Sequence, residues 1–386
     1  MFTRLPVAWL NLTYKPGRLL LSLGGIVFAA VLMFMFTGFK HALYDSQLQL
    51  LDKLNGDVFL VHSRRANLIA PVQFPFEMLY RAKNYPGVEA AYPVYLGKAT
   101  WKNPDGSTAK SVRLISFDLD ASLFQFPEIR QYRNELRQPD TVLVDRWAKP
   151  ALGRRARGTV TELANRRVRV LGNFDLGNDF AASSGNLITS EENFLRYRGS
   201  GSTKQKSRSL DFVDIGVLFV APQISPEQVV AALSAELPNT VSVHTRQTLI
   251  NWELRSWQEG SNIGFVFGIL TLMGFMIGIV LCYQILYADI TNNIQAYATV
   301  KAIGYNDTYL SVVVLQQALL LSVLGFIPAS ILSYFLYQFA ISFTGLIFKM
   351  TVDRIGFIFL MTVLMCVFSG LISALKVQRC DPADIF

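Results

Sequence analysis

The chain has 386 residues, 51% of them apolar, and a formal net charge of +8, a combination that by itself leaves open one soluble domain, two, or a membrane protein. The charge does not point to nucleic acid: residues 40–260 hold 28 basic against 23 acidic residues, and the rest of the excess sits mostly beside apolar segments, where anionic lipid and topological sorting account for it. None of the three cysteines falls within residues 40–260, which excludes a disulfide framework there.

From the N-terminus, residues 1–18 form a basic segment with Arg4, Lys15 and Arg18 and no acid. Residues 19–39 are then uncharged, and a helix crossing the hydrocarbon core needs about 20 such residues. This run exceeds a signal peptide's apolar stretch and no small-x-small pattern precedes Lys40, so it is read as a retained first span. Phe39, Leu43, Leu50, Leu51 and Leu54 continue an apolar stripe toward Gly56, which predicts one helix over 19–55, about 55 Å long, that overshoots the bilayer as a stalk. Two shorter helices broken at the interface are the alternative.

Within the outer segment, 40–260, strand 57–61, helix 76–83, a Tyr85-Pro86-Gly87 turn and strand 88–94 follow one another. The same order returns as strand 213–220, helix 226–236, turn Leu237-Pro238-Asn239 and strand 241–244. A duplicated strand-helix-strand part, 57–122 and 210–244, is predicted to share one sheet with helices on a face. Residues 123–198, with strands 141–144 and 168–171 between glycine turns, read as an inserted β-rich subdomain, and 199–209 as a mobile loop. Thr245 then caps a helix whose Ile250, Leu254 and Trp257 form a second stalk leading into the second span, 261–288.

Residues 289–307 form a loop in which Ile290, Ile294, Tyr297, Ala298 and 300–303 allow one apolar helical face, with Gly304 as C-terminal cap. Its polar face carries Lys301 alone among basic residues, which suits docking to a protein better than lying on a membrane. The third span is placed at 310–338, bent by Pro328, followed by a short turn, 339–354, a fourth span, 355–375, and a tail, 376–386. Arg4, Lys15, Arg18, Lys301, Lys376 and Arg379 lie on one side of this layout against Lys349 and Arg354 on the other, which predicts cytoplasmic termini in an inner (plasma) membrane protein and an outer domain beyond it. The expected fold is thus an α-helical membrane protein with four transmembrane helices and an α+β extracytoplasmic domain inserted between the first and second.

Catalytic chemistry is missing from this pattern. There is no G-x-x-x-x-G-K-S/T, so any ATP is expected on a partner, and no G-x-S-x-G elbow. His41, His62 and His244 lack the paired spacing of a zinc site, so neither a metal nor a cofactor is expected. The spans hold no Asp, Glu, Lys, Arg or His, which disfavours an ion-coupled carrier; Gln284, Gln316, Gln317 and Gln338 read as packing residues. The clusters Arg154, Arg155, Arg157 and Arg166, Arg167, Arg169 read as solvated faces, with partner or head-group docking as the alternative.

The loop ending Val300-Lys301-Ala302-Ile303-Gly304-Tyr305 resembles the ATPase-coupling segment of FtsX/MacB-type ABC permeases, the mechanotransmission or type VII class, and Ala8-Trp9-Leu10-Asn11-Leu12-Thr13 ahead of Pro16-Gly17 resembles that family's approach to its first span. Gly38-Phe39-Lys40-His41-Ala42-Leu43-Tyr44-Asp45-Ser46, Tyr297-Ala298-Thr299 and Asp381-Pro382-Ala383-Asp384-Ile385-Phe386 place the likeness among DevC-type permeases of glycolipid exporters. Many relatives have a Glu where Ala296 stands. The resemblance implies a homodimer working with two ABC ATPase subunits, a periplasmic adaptor (membrane fusion) protein and, through it, a TolC-like outer-membrane duct. It implies coupling through Ile290, Ile294, Tyr297, Ala298, Lys301, Ala302, Ile303 and Gly304, and transmission along the stalk residues Leu43, Leu50, Leu51, Leu54, Ile250 and Leu254. An FtsX-like signaller that regulates a periplasmic partner without transporting is the second reading. Nothing in the residues selects a cargo; glycolipid, or another amphiphile, is what the resemblance implies.

Overall fold

The computed structural model describes residues 16–103, 109–177, 179, 184–197 and 209–378. The expectations placed on 1–15, on most of 199–209, on Cys380 and on the closing 381–386 lie outside the described residues. The chain divides into two compact units, one of membrane-type helices and one mixed α/β, with the α/β unit between the first and second long apolar helices.

The helical unit comprises the first part of α1 (Pro16–Lys53), α7 (Ile263–Asn292), the short α8 (Ile294–Ala302), α9 (Asp307–Thr344) and α10 (Val352–Gln378). Four of these are long and apolar enough to cross a membrane. Its core is Ile26, Ala29, Met33 and Phe34 of α1 against Cys282 and Leu286 of α7, Ala318 and Leu321 of α9, and Ile358, Met365 and Cys366 of α10. Without a hydrophobic drive between helices in lipid, close contact and hydrogen bonds hold such a bundle. Both occur: Gly278 brings α7 against Ala29 and Met365, Ser369 Oγ donates to Ile279 O at 2.8 Å, and Tyr337 Oη donates to Phe34 O at 2.6 Å. Gln317 is buried, whereas Gln284 and Gln338 are exposed. The third long helix passes Pro328 and continues beyond 338 to Thr344, because nothing stops it before Gly345, whose φ of 69° ends helical geometry. The expected turn therefore shrinks to about half its predicted length.

In the α/β unit, β1 (Val58–His62), β2 (Phe74–Pro75), α2 (Phe76–Lys83) and β3 (Val88–Lys102) precede β4 (Ala109–Phe117), α3 (Pro127–Leu136) and β5 (Thr141–Asp145). Then come β6 (Val160–Leu163), β7 (Arg166–Phe174), β8 (Asn186–Thr189), α4 (Glu191–Arg196), β9 (Phe212–Val213), β10 (Ile215–Val220), α5 (Pro226–Glu236), β11 (Val241–Thr245) and α6 (Arg246–Gly260). The order β11-β1-β10-β3, all antiparallel, interleaves two strand-helix-strand halves into a split βαβ sheet. Alternation assigns its faces: Val58 and Leu60 bury against Leu79 of α2 and Val229 and Leu233 of α5, while Phe59 and Val61 bury against Leu50, Leu51 and Leu54 at the end of α1 and Leu249 of α6. Helices thus cover both faces, not one.

The β-rich insertion is not a separate sheet. From β3 the order continues β4-β8-β5-β7-β6, and β6 pairs back on β3 at Trp101↔Leu163 and Lys102↔Glu162, closing a six-strand ring. Trp101, Val112, Leu114, Val142, Val144, Val170 and Leu187 bury together as its filling, with Trp101 Nε1 donating to Leu152 O at 3.1 Å. The ring borrows β3 because that strand runs 15 residues, well past the 88–94 that the sequence marks.

Two boundaries of the predicted stalks also differ. The first long helix ends at Lys53, since Leu54 bridges to Phe124 and Asn55 N donates to Leu123 O at 2.7 Å, so sheet-type bonding takes over before Gly56. Thr245 caps α6, its side chain accepting from Thr248 N, but Ser261 is extended at φ −126°, ψ 143°, so α6 and α7 are separate helices and the second stalk is not continuous into the span.

Candidate functional site

The short helix α8 joins α7 to α9, and the physics of its two ends is well defined. At its start Asn293 caps back on α7, its Nδ2 donating to Asp289 O at 3.1 Å. At its end Gly304 N donates to Lys301 O at 3.0 Å and Tyr305 N to Val300 O at 3.4 Å, the paired bonds of a Schellman motif, with Gly304 at φ 103° in the conformation that motif needs. Lys301 Nζ lies 2.9 Å from Asp307 Oδ1 in the first turn of α9, so α8 is tied to α9 by charge as well as by chain.

The inner face of α8 is the apolar one. Tyr297 is buried with Ile290 of α7, Leu310 and Val314 of α9 and Ala374 of α10, and Ala298 beside it is fully buried. Tyr297 Oη reaches Gln317 Oε1 at 3.5 Å. The outward surface is Gln295, Thr299, Ala302 and Ile303; the spacing of Gln295, Thr299 and Ile303 by four places them along one stripe. Ile303 is 72% exposed and Tyr305, its ring tilted against that of Tyr309 at 4.7 Å, is 42% exposed.

The structure therefore divides the eight predicted coupling residues. Ile290, Tyr297 and Ala298 are core, Ile294 and Lys301 are half-buried, and Ala302, Ile303 and Gly304 are exposed. Tyr297 packs onto α7, α9 and α10 and Ala298 is fully buried, so neither side chain is presented on the surface of this chain. Sequence reading missed Gln295 and Thr299; the signal that finds them is their four-residue spacing from Ile303.

Of the stalk residues, Leu50, Leu51 and Leu54 are core of the α/β unit, Ile250 packs against the same cluster, and Leu43 and Leu254 are half-buried. A residue not singled out from the sequence joins them: Arg246, first in α6, donates from Nη1 to Leu54 O at 2.6 Å and from Nη2 to Leu51 O at 2.9 Å and Asp52 O at 3.2 Å. It thereby adds a charged donor to carbonyls at the C-terminal end of α1, where the helix leaves partial negative charge.

Buried charge in the α/β unit is structural in its geometry. Arg65 donates to Asn67 O, Leu68 O and Asp214 O, and Asp214 Oδ2 accepts from Leu96 N and Gln73 Nε2. Asp145 Oδ2 accepts from Asn186 Nδ2 at 2.9 Å, and Asn186 Oδ1 accepts from Arg113 Nε at 2.8 Å. Burial pushes the Asp145 carboxyl up to about 6, against the pull of its hydrogen bonds. Burial likewise raises Glu253, which accepts from Leu68 N and Trp257 Nε1. His62 and His244 are held below their usual range chiefly by burial, and no group of potential metal ligands occurs among the described residues. Several arginines of the two basic clusters are engaged: Arg155 with Ala148 O, Arg157 over the Tyr132 ring at 5.0 Å, and Arg166 with Asp140 at 2.9 Å.

Residues 265–382 match the FtsX-like permease C-terminal family. Among solved structures, the chain is similar to the periplasmic region of MacB from Actinobacillus actinomycetemcomitans, at 12% identity over 52% of this chain and 92% of that one, with a TM-score of 0.35. It is also similar to the extracellular domain of the noncanonic ABC-type transporter YknZ from Gram-positive bacteria (11%, 50% and 100%, TM-score 0.32) and to a domain of a putative permease protein from Porphyromonas gingivalis (15%, 50% and 89%, TM-score 0.31). No curated protein matches.

Proposed function

From an FtsX-like permease C-terminal domain at residues 265–382, we propose that the chain is the membrane subunit of an ATP-driven exporter, with nucleotide hydrolysed by a separate ABC ATPase subunit. The observation that carries this reading is α8: a capped helix whose inner face is locked to α7, α9 and α10 and whose outer stripe, Gln295, Thr299 and Ile303, ends in an exposed apolar side chain. A push on that stripe cannot be absorbed by α8 sliding, because Tyr297 keys it into the bundle and Lys301 ties it to Asp307. In this reading the helix α1, 38 residues and about 57 Å long, carries the motion onward, and Arg246 fastens its end to α6.

The chain sits in the plasma membrane with cytoplasmic termini and its α/β unit outside, as a homodimer that engages a periplasmic adaptor and, through it, a TolC-like duct. Cargo is an amphiphile such as a glycolipid and does not traverse a charged pore. The experiment is co-reconstitution of the chain with its ABC ATPase in nanodiscs. Stimulated hydrolysis that is lost in Ile303→Asp supports the assignment of the docking stripe; stimulation that survives overturns it.

A further inference from the structure

The helical unit holds a cavity of about 830 Å3 that the coupling reading does not use. Its rim is Lys40 and His41 of α1 with Asp353 and Arg354 in the first turn of α10, and its wall is Leu272, Phe275, Phe357, Met361 and Leu364, with Thr37, Thr271 and Thr351 among the remaining lining residues. All of these belong to the same compact unit. Leu272 is 59% exposed and Phe357 44% exposed, so the apolar wall opens to the surroundings of the bundle and is not sealed inside it.

We propose that this cavity binds one phospholipid with an anionic head group from the leaflet on the α/β-domain side. Three properties select that occupant. The polar residues cluster at one end and the apolar ones extend away from them, the polarity profile of an amphiphile. From Arg354 to Leu364 the wall runs ten residues of helix, about 15 Å, which is about half of a hydrocarbon core of ~30 Å and so the reach of one acyl chain. The rim sets Lys40 and Arg354 against Asp353 alone, leaving it net cationic at the N-terminal end of α10, where backbone N–H groups add further positive potential. A volume of this size is within the range of specific small-molecule sites. A second copy of this chain would present the same cationic rim to itself. The inference rests on the four helices spanning a membrane and not on the exporter reading.

The test uses the full-length chain in phosphatidylcholine nanodiscs without nucleotide or ATPase, doped with spin-labelled phosphatidylglycerol or spin-labelled phosphatidylcholine. The immobilised fraction of label is expected to be at least about fivefold greater for phosphatidylglycerol. The Lys40→Gln, Arg354→Gln double variant should fall to the phosphatidylcholine level, losing that fivefold preference. Leu272→Trp, which fills the wall without touching the rim, should displace both lipids. Equal retention of the two lipids, or retention unchanged in the double variant at wild-type melting temperature, overturns the proposal, as does a cysteine at Leu272 cross-linking to a second copy with lipid present. ATPase stimulation is read separately, so its loss or survival bears on the coupling assignment alone.

Discussion

Two substitutions four and nine residues into α8 and its cap should have opposite consequences, although both sit in the same predicted coupling segment. Ala298 is fully buried, so Ala298→Arg both overpacks the site, at about 1–3 kcal/mol, and buries an unpaired charge, at several more. A cost above about 4 kcal/mol is a large share of a typical folding free energy of 5–15 kcal/mol. Ile303 is 72% exposed, so Ile303→Asp costs the isolated chain little beyond an unfavourable acid at a helix C-terminus, about 0.3–1 kcal/mol. At a docked interface the same change forfeits about 1–2 kcal/mol of isoleucine burial and adds about 1–3 kcal/mol of carboxylate desolvation. The sum, about 3 kcal/mol, corresponds to roughly a hundredfold weaker ATPase association. Thermal unfolding of the solubilised chain, paired with titration of the ATPase into nanodiscs, reads both quantities. A normal melt for Ala298→Arg, or wild-type ATPase affinity for Ile303→Asp, would refute the division of α8 into a core face and a docking face.

Other outcomes follow from the same geometry. Arg246→Gln removes a guanidinium that serves three carbonyls at the end of α1 and should lower stability of the α/β unit by about 2–4 kcal/mol, measured by denaturant titration of tryptophan fluorescence; a loss under about 0.5 kcal/mol would show that water replaces it without cost. Gly38→Ala places a methyl against the Tyr337 ring and should break the Tyr337 to Phe34 hydrogen bond, lowering the melting temperature, whereas Gly38→Ala combined with Tyr337→Phe should recover part of that loss. Asp145 has a carboxyl raised from 3.8 to about 6, so its protonated form is favoured by folding: its contribution is complete below pH 4 and disappears as pH rises through 6, about 3 kcal/mol in all. Stability of the α/β unit between pH 4 and 6 should therefore decline more steeply in the wild type than in Asp145→Asn, and parallel profiles would contradict the assignment.

Much of this protein was legible in the order of its residues because the governing effects are local or additive. Charge-free runs of sufficient length mark the four apolar helices, since an unpaired charge is costly in hydrocarbon wherever its partners lie. Alternating apolar residues and the turns at Gly87 and Pro238 mark the repeated strand-helix-strand order, and Thr245 and Gly304 mark helix ends, because capping depends on a residue's own conformation and neighbours within one turn. What required the tertiary structure was the choice of partner. Pairing of β6 with β3, which makes the insertion a ring sharing a strand with the split sheet, is a contact between distant segments that no local pattern specifies. The apolar face of α8 could equally have met another protein or its own bundle; Leu310, Val314 and Ala374 decide for the bundle and leave Ile303 outside. Arg246 found its role for the same reason, since the carbonyls at Leu51, Asp52 and Leu54 turn to a side-chain donor only where one helix stops, and they can draw a cation only from a segment that folding brings beside them.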